Sequence, residues 1–188
     1  MENIREIFDS IIQLTDEEFS YYLSKLSYKE YKKGEIITKK GSIENYAYYV
    51  QKGIVRRFID KGEGDLTFYF SFEHDFVCAY DSFITQTPCR YMLQALENTS
   101  VMRMSWQDVQ DLYRQSLKWE RIGRILNEKA YLERAEREFS LLAQSPQERY
   151  ESLFQQNREV IKRVPLKYIA SYIGITPQAL SRIRKRIF

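Results

Sequence analysis

Near the C-terminal end of the chain, Gln178, Ser181, Arg182 and Lys185 fall at i, i+3, i+4 and i+7. On a helix those positions project together from one side. Glutamine can pair with adenine, and arginine with guanine, through two hydrogen bonds each in the major groove of DNA. Arg184 and Arg186 flank that row and could reach phosphates, contacts that position a protein without reading sequence. Thr176 can cap such a helix and Pro177 suits its first turn. No acid occurs in residues 165–188. The blander reading is a basic amphipathic helix lying on a surface or in a subunit contact.

The segment just before decides between the two. A helix-turn-helix crosses two short helices steeply, so its residue requirements are geometric. The first helix needs a small residue under the crossing, and Ala170 is there. The turn needs a residue that tolerates positive φ, and Gly174 follows four positions later. Ile169, Ile173 and Ile175 supply the buried spacers, and Leu180, Ile183 and Ile187 the buried stripe of the second helix. The pattern therefore predicts a helix-turn-helix that presents Thr176, Gln178, Ser181, Arg182, Lys185 and Arg186 to double-stranded DNA.

Charge points the same way. Residues 158–188 hold eight Lys or Arg against the single acid Glu159, while the whole chain carries only +3, so the preceding part is net acidic. An acidic body with a basic end suits a polyanion bound at that end.

Other elements must hold this one in place. Ile4, Ile7, Phe8, Ile11 and Ile12 trace an apolar helical stripe. Thr15 and Glu18 form a capping box ahead of a second stripe, Phe19, Tyr22, Leu23 and Leu26. From about residue 28 to 104 the pattern changes to short aromatic and β-branched runs punctuated by Gly34, Gly41, Gly53, Gly62 and Gly64. Leu66, Phe68, Phe70 and Phe72 alternate, which predicts a strand with one buried face. A small barrel or jelly roll follows. Ser105 and Asp108 then start a helix, and residues 117–143 read as one long helix. Ile125, Leu132 and Phe139 repeat every seven residues, as do Ala135 and Leu142. That seam suits a two-stranded coiled coil, although Glu128 interrupts it and Ile122 and Leu126 could instead pack the helix on its own barrel. Ser145, Pro146 and Glu148 break this helix and start the next.

The order of parts resembles the Crp/Fnr family of bacterial regulators over nearly the whole chain. The resemblance rests on YKKGEIITKKGSIENYAYYVQKGIVRRF (31–58) and, more specifically, on VPLKYIASYIGITPQALSRIRK (164–185). It implies an α+β fold: N-terminal helices and a β-roll (a double-stranded β-helix or jelly roll), a long dimerisation helix, and a C-terminal helix-turn-helix. The expected domains are a cyclic-nucleotide-binding-like sensor over 1–115, the dimerisation helix over 116–144 and the DNA-binding domain over 145–188. Family members contact bases at the positions of Gln178 and Arg182. They continue into a β-hairpin wing, whereas this sequence ends at Phe188, so the wing is expected to be absent or truncated. The implied partners are a DNA operator, a second copy of the chain, RNA polymerase and a small-molecule effector.

The effector site departs from the family. Cyclic-AMP-binding members carry Gly-Glu-Leu and then Arg-Ser or Arg-Thr; aligned on Phe83 and Ala95, these slots hold Cys78-Ala79-Tyr80 and Cys89-Arg90. A buried cyclic phosphate needs a charged partner, and Arg90 stands one position late. The expectation is a regulator that does not respond to cyclic AMP, with Tyr80, Cys89 and Arg90 lining any effector pocket.

Rival chemistries lack ligands. One histidine, His74, cannot build a cupin metal shell and offers the only imidazole for a haem. Two cysteines, Cys78 and Cys89, cannot hold a four-thiolate cluster. No phosphate loop or nucleophile elbow occurs, so no metal, cofactor or catalysis is expected. With 44% hydrophobic residues the chain can bury a core. The lack of a signal-like start, a membrane-spanning run or a disulfide framework predicts a cytoplasmic protein with no membrane partner. The competing function is a ligand-sensing or scaffolding module whose basic C-terminal helices contact protein rather than DNA.

Overall fold

The computed structural model describes residues 2–62 and 64–187, and at Glu2, Gln156 and Ile187 the backbone only. The expected continuation of the buried stripe to Ile187 and the question of a wing after Phe188 lie outside the described residues.

Two helices open the chain, α1 (Glu2–Asp9) and α2 (Asp16–Ser24). Thr15 starts α2 with the capping box read from the sequence: its hydroxyl accepts from the Glu18 amide while the Glu18 carboxylate accepts from the Thr15 amide at 2.8 Å. Helix α1 ends at Asp9, so Ile11 and Ile12 belong to the turn after it and still pack on the same core.

The strands β1 (Ser27–Tyr31), β2 (Ile36–Thr38), β3 (Tyr46–Lys52), β4 (Val55–Asp60), β5 (Asp65–Ser71), β6 (Phe76–Val77), β7 (Met92–Ala95) and β8 (Thr99–Ser105) form two four-stranded sheets. One runs β1-β8-β3-β6 and the other β2-β7-β4-β5, with every pairing antiparallel. This is the expected β-roll. Its interior is closed by Tyr48, Val50, Val55, Leu93, Ala95 and Val101. Neighbouring positions on β3 and β8, namely Tyr49, Met102 and Met104, pack with the helices instead. Successive strand residues face opposite sides, so the first sheet is covered on both faces along β3 and β8, while its edge strand β1 is exposed except at Tyr31.

The alternation read along β5 needs correction. Its buried residues are Thr67, Phe70 and Ser71 rather than the row Leu66, Phe68, Phe70, Phe72. A register shift opposite, between Arg57 and Phe58, interrupts the period. A helix of the C-terminal part also covers the face that a solvated strand would leave free.

A short helix, α3 (Tyr80–Thr85), precedes β7; after β8 come α4 (Trp106–Gln115) and α5 (Leu117–Ala143). Ser105 caps α4 through the Asp108 amide. Gly123 lets α5 approach α4: a Cβ there would stand 2.3 Å from the Tyr113 hydroxyl. Within one chain α5 packs on its own core through its first half, as one of the two sequence readings expected. Trp119 and Ile122 are buried, with Leu126 packed beside them, whereas Leu132, Phe139 and Leu142 are 66%, 62% and 82% exposed.

Four helices finish the chain: α6 (Pro146–Gln156), α7 (Arg158–Arg163), α8 (Leu166–Ile173) and α9 (Pro177–Ile187). The Ser145–Glu148 capping box is formed. Helix α7 was not anticipated; Asn157 ends α6 and caps α7 through the Glu159 and Val160 amides. No helix among the described residues is long and apolar enough to cross a membrane.

Candidate nucleic-acid interface

Helices α8 and α9 meet over a glycine corner. Ala170 is fully buried, and Gly174 takes φ +87°, a left-handed conformation that glycine adopts without steric cost. The Gly174 amide donates to Ala170 at 2.9 Å and the Ile175 amide donates to the same carbonyl at 3.0 Å. This two-bond closure ends α8 by satisfying carbonyls that would otherwise be orphaned. Thr176 then begins α9, its hydroxyl accepting from the Ala179 amide at 3.2 Å. Leu180 is fully buried and Ile183 packs on the same cluster, which includes Ile169, Ala170 and Ile173. Buried on that side, α9 leaves the other free.

On the free side, Thr176, Gln178, Arg182, Lys185 and Arg186 are exposed, and Ser181 is half-buried among them. Arg184 is exposed as well. Among the described residues no carboxylate lies within ion-pair distance of Arg182, Arg184, Lys185 or Arg186. The surface is thus a helix face of uncompensated cations with hydrogen-bonding groups between them.

The pair is anchored to the β-roll of its own chain, a contact that sequence reasoning missed. Helix α8 lies along β5: the Ser171 hydroxyl accepts from the Thr67 amide at 2.8 Å and donates to the Asp65 carbonyl at 2.7 Å. Arg56 is buried and stacks at 3.8 Å on both Phe58 and Tyr168. Its guanidinium also donates to Gln94 at 2.7 Å, to Thr67 at 3.1 Å and to Asp65 at 2.5 Å. On α7, Arg163 donates to Glu73 at 2.7 and 2.9 Å and also pairs with Glu97. The Arg163 hydrogen bonds hold the Glu73 carboxyl down to about 2, against the burial that opposes it. From the long helix, Arg137 stacks on Tyr172 at 3.7 Å and donates to its carbonyl. Arg149 of α6 donates to the Ile173 carbonyl at 2.9 Å. Helix α8 is therefore clamped from three sides while α9 stays outward. Only the arginine-rich composition of these stretches could have hinted at this, because each pair spans tens of residues of sequence.

At the β-roll the expected trio separates. Tyr80 lies on the wall of a cavity between α5 and the roll. Cys89 is buried in the roll interior, its thiol donating to the Tyr91 carbonyl at 3.0 Å. The Arg90 side chain is 84% exposed and pairs outward with Asp81 at 3.1 Å. Neither Cys89 nor Arg90 is on the cavity wall. Burial pushes the Cys78 thiol up to about 12 and raises Cys89 as well, which makes both poor nucleophiles. His74 Nδ1 and the Tyr49 hydroxyl are hydrogen-bonded at 2.9 Å. No cluster of three or more potential metal ligands occurs among the described residues.

The roll interior carries a carboxylate of its own. Glu44 is 2% exposed and accepts from Thr38 at 2.6 Å, Tyr48 at 3.1 Å, the Tyr46 amide at 3.2 Å and the Ala79 amide at 3.4 Å. Desolvation raises its pKa despite those donors.

Residues 28–116 match the cyclic nucleotide-binding domain family. No curated protein matches the sequence. Among solved structures, the chain is similar to FixK2 from Bradyrhizobium japonicum, with 16% identity, 86% of this chain and 84% of that one covered, and a TM-score of 0.75. It is also similar to the c-di-GMP responsive global regulator CLP of Xanthomonas campestris, with 16% identity, coverage of 92% and 91%, and a TM-score of 0.72. The Thermus thermophilus catabolite activator protein matches with 19% identity, coverage of 94% and 85%, and a TM-score of 0.59. Residues 28–116 thus match the cyclic nucleotide-binding domain family, and the chain as a whole shares the fold of these solved structures.

Proposed function

We propose that the chain is a DNA-binding transcription regulator of the Crp/Fnr type. The observation that carries this reading is the outward cationic face of α9, with Gln178, Arg182 and Lys185 unobstructed. Two chains would pair through the exposed seam of α5 and set their recognition helices about 34 Å apart, one turn of DNA. Gln178, Ser181 and Arg182 would then meet base edges, while Thr176, Lys185 and Arg186 would hold phosphates. The relatives are named as regulators, which supports the reading.

The experiment is selection of bound genomic fragments by the purified protein, followed by a salt titration on a selected site. DNA binding should weaken steeply with salt as counterions are no longer released, by a slope of about 0.9 per neutralised phosphate. Failure to enrich any sequence, or affinity that ignores salt, would favour a tail that contacts protein.

Cyclic AMP is not the effector in this reading. The Ala79 amide is already taken by Glu44, and Arg90 points outward to Asp81. A cyclic phosphate would meet a carboxylate where it needs a guanidinium. Calorimetric titration with cyclic AMP should show no binding; micromolar affinity would overturn this part.

A further inference from the structure

Successive residues of β4 carry two buried arginines in opposite circumstances. Arg56 has a full set of partners: three side-chain acceptors and two aromatic faces. Arg57 is 8% exposed and has the Tyr69 ring at 4.0 Å. Among the described residues it has no carboxylate within ion-pair distance and no hydrogen-bond acceptor. A guanidinium brings five donors and keeps its proton in proteins. Left bare in an interior, such a charge is destabilising, so an acceptor is owed to it. Burial pushes its pKa down, and the Arg134 charge adds to that effect, which places both cations in one neighbourhood.

The acceptor has room. A cavity of about 290 Å³ lies where α5 crosses the roll, with Arg57, Arg134, Tyr69, Tyr80, Tyr113 and Trp119 on its wall. That is the scale and aromatic character of a small-molecule site. Trp119, also on this wall, has a buried indole nitrogen without a partner, a second unmatched donor independent of the arginine. Two acids share the wall but neither is within ion-pair distance of Arg57: Asp75 feels the Arg57 charge and accepts from the Phe72 amide at 2.8 Å, and Glu133 accepts from the hydroxyl of Tyr69, whose ring faces Arg57.

We propose that this cavity binds a small organic anion with a flat apolar body, an aromatic carboxylate or phosphate. Its charged end sits on Arg57, its ring lies among the tyrosines, and Arg134 closes over it from the long helix. The site lies on the inner face of the roll, where Arg57 stands opposite Leu93, beneath α5 and apart from the Glu44 cluster, and it favours anions over neutral analogues because only an anion answers Arg57 with charge. The inference names the chemical class of effector and stands whether or not α9 binds DNA.

The test uses the full chain without DNA, so its failure is separable from failure of the DNA reading. Phenylacetate, phenyl phosphate and the neutral phenylacetamide are titrated by calorimetry and by thermal unfolding. One or both anions should bind and raise Tm, the stronger identifying the head group, and phenylacetamide should bind at least roughly tenfold more weakly. Arg57→Met should lose that preference while keeping a Tm at or above that of the parent chain, since a bare buried charge has gone. Arg57→Lys should retain part of it. Equal binding of the amide overturns the proposal, as does silence of both anions up to about 10 mM. So does an Arg57→Met chain that is destabilised yet still prefers anions.

Discussion

At the residue scale, what matters on α9 is which side chains are left without a partner. Arg182 and Arg186 are both exposed and unpaired among the described residues, with Arg186 one turn further along the helix at the edge of the face. Arg182 shares its face with Gln178 and Ser181, so Arg182→Ala should cost about 1–3 kcal/mol on a selected site and relax base choice there. Arg186→Ala should weaken all sequences alike and lower the salt slope by about one. Gel-shift series on matched and scrambled sites separate the two; equal losses at both positions would sink the assignment. The corner itself was legible in the sequence because its demands are local: Ala170, Gly174 and Thr176 each answer one steric or hydrogen-bonding need within a few residues. Arg57 was not legible. A strand residue's side is set by register, and a register shift falls between Arg57 and Phe58.

At the element scale, α5 divides its length between two tasks. Trp119 and Ile122 fix its first half to the chain's own core, while Leu132, Phe139 and Leu142 stand exposed in the second. An apolar stripe of that size on a helix asks for a partner, and a second copy of the same stripe is self-complementary. Burying each leucine or phenylalanine is worth about 1.5–3 kcal/mol. Leu132→Asp with Phe139→Asp should therefore shift a dimer to monomer in sedimentation equilibrium, with helix content unchanged; a dimer that survives would place the interface elsewhere. Helix periodicity showed both stripes in the sequence, but periodicity cannot say which neighbour each one meets. Helix α7 escaped notice for a related reason. It is six residues long, too short for a period, and rests on the Asn157 cap and on Val160 buried beneath it.

At the scale of the whole molecule, the C-terminal helices and the roll are joined by charged and aromatic contacts as well as by chain. Arg163 with Glu73 is the clearest of these. The folded carboxyl titrates at about 2 against an ordinary value of 4.5. The stabilisation from that depression is present above about pH 5 and is lost as pH falls towards 2. Glu73→Gln should cost about 1–2 kcal/mol at neutral pH, the low side for a charged hydrogen-bonding pair because Glu97 remains. It should also flatten the acid limb of stability between about pH 5 and 2 in urea unfolding. An unchanged acid limb would mean that the pair contributes nothing. Such contacts were invisible beforehand because 90 residues separate Glu73 from Arg163.

Strand β4 sets the two ends of the molecule one peptide apart. Arg56 reaches Tyr168 on α8 and Arg57 reaches the cavity beside the long helix, from α-carbons about 3.8 Å from each other. No long relay through the interior is needed to connect them. A twist of this one ribbon about its axis would turn both arginines at once, so a ligand that steadied Arg57 would bear directly on the seat of α8.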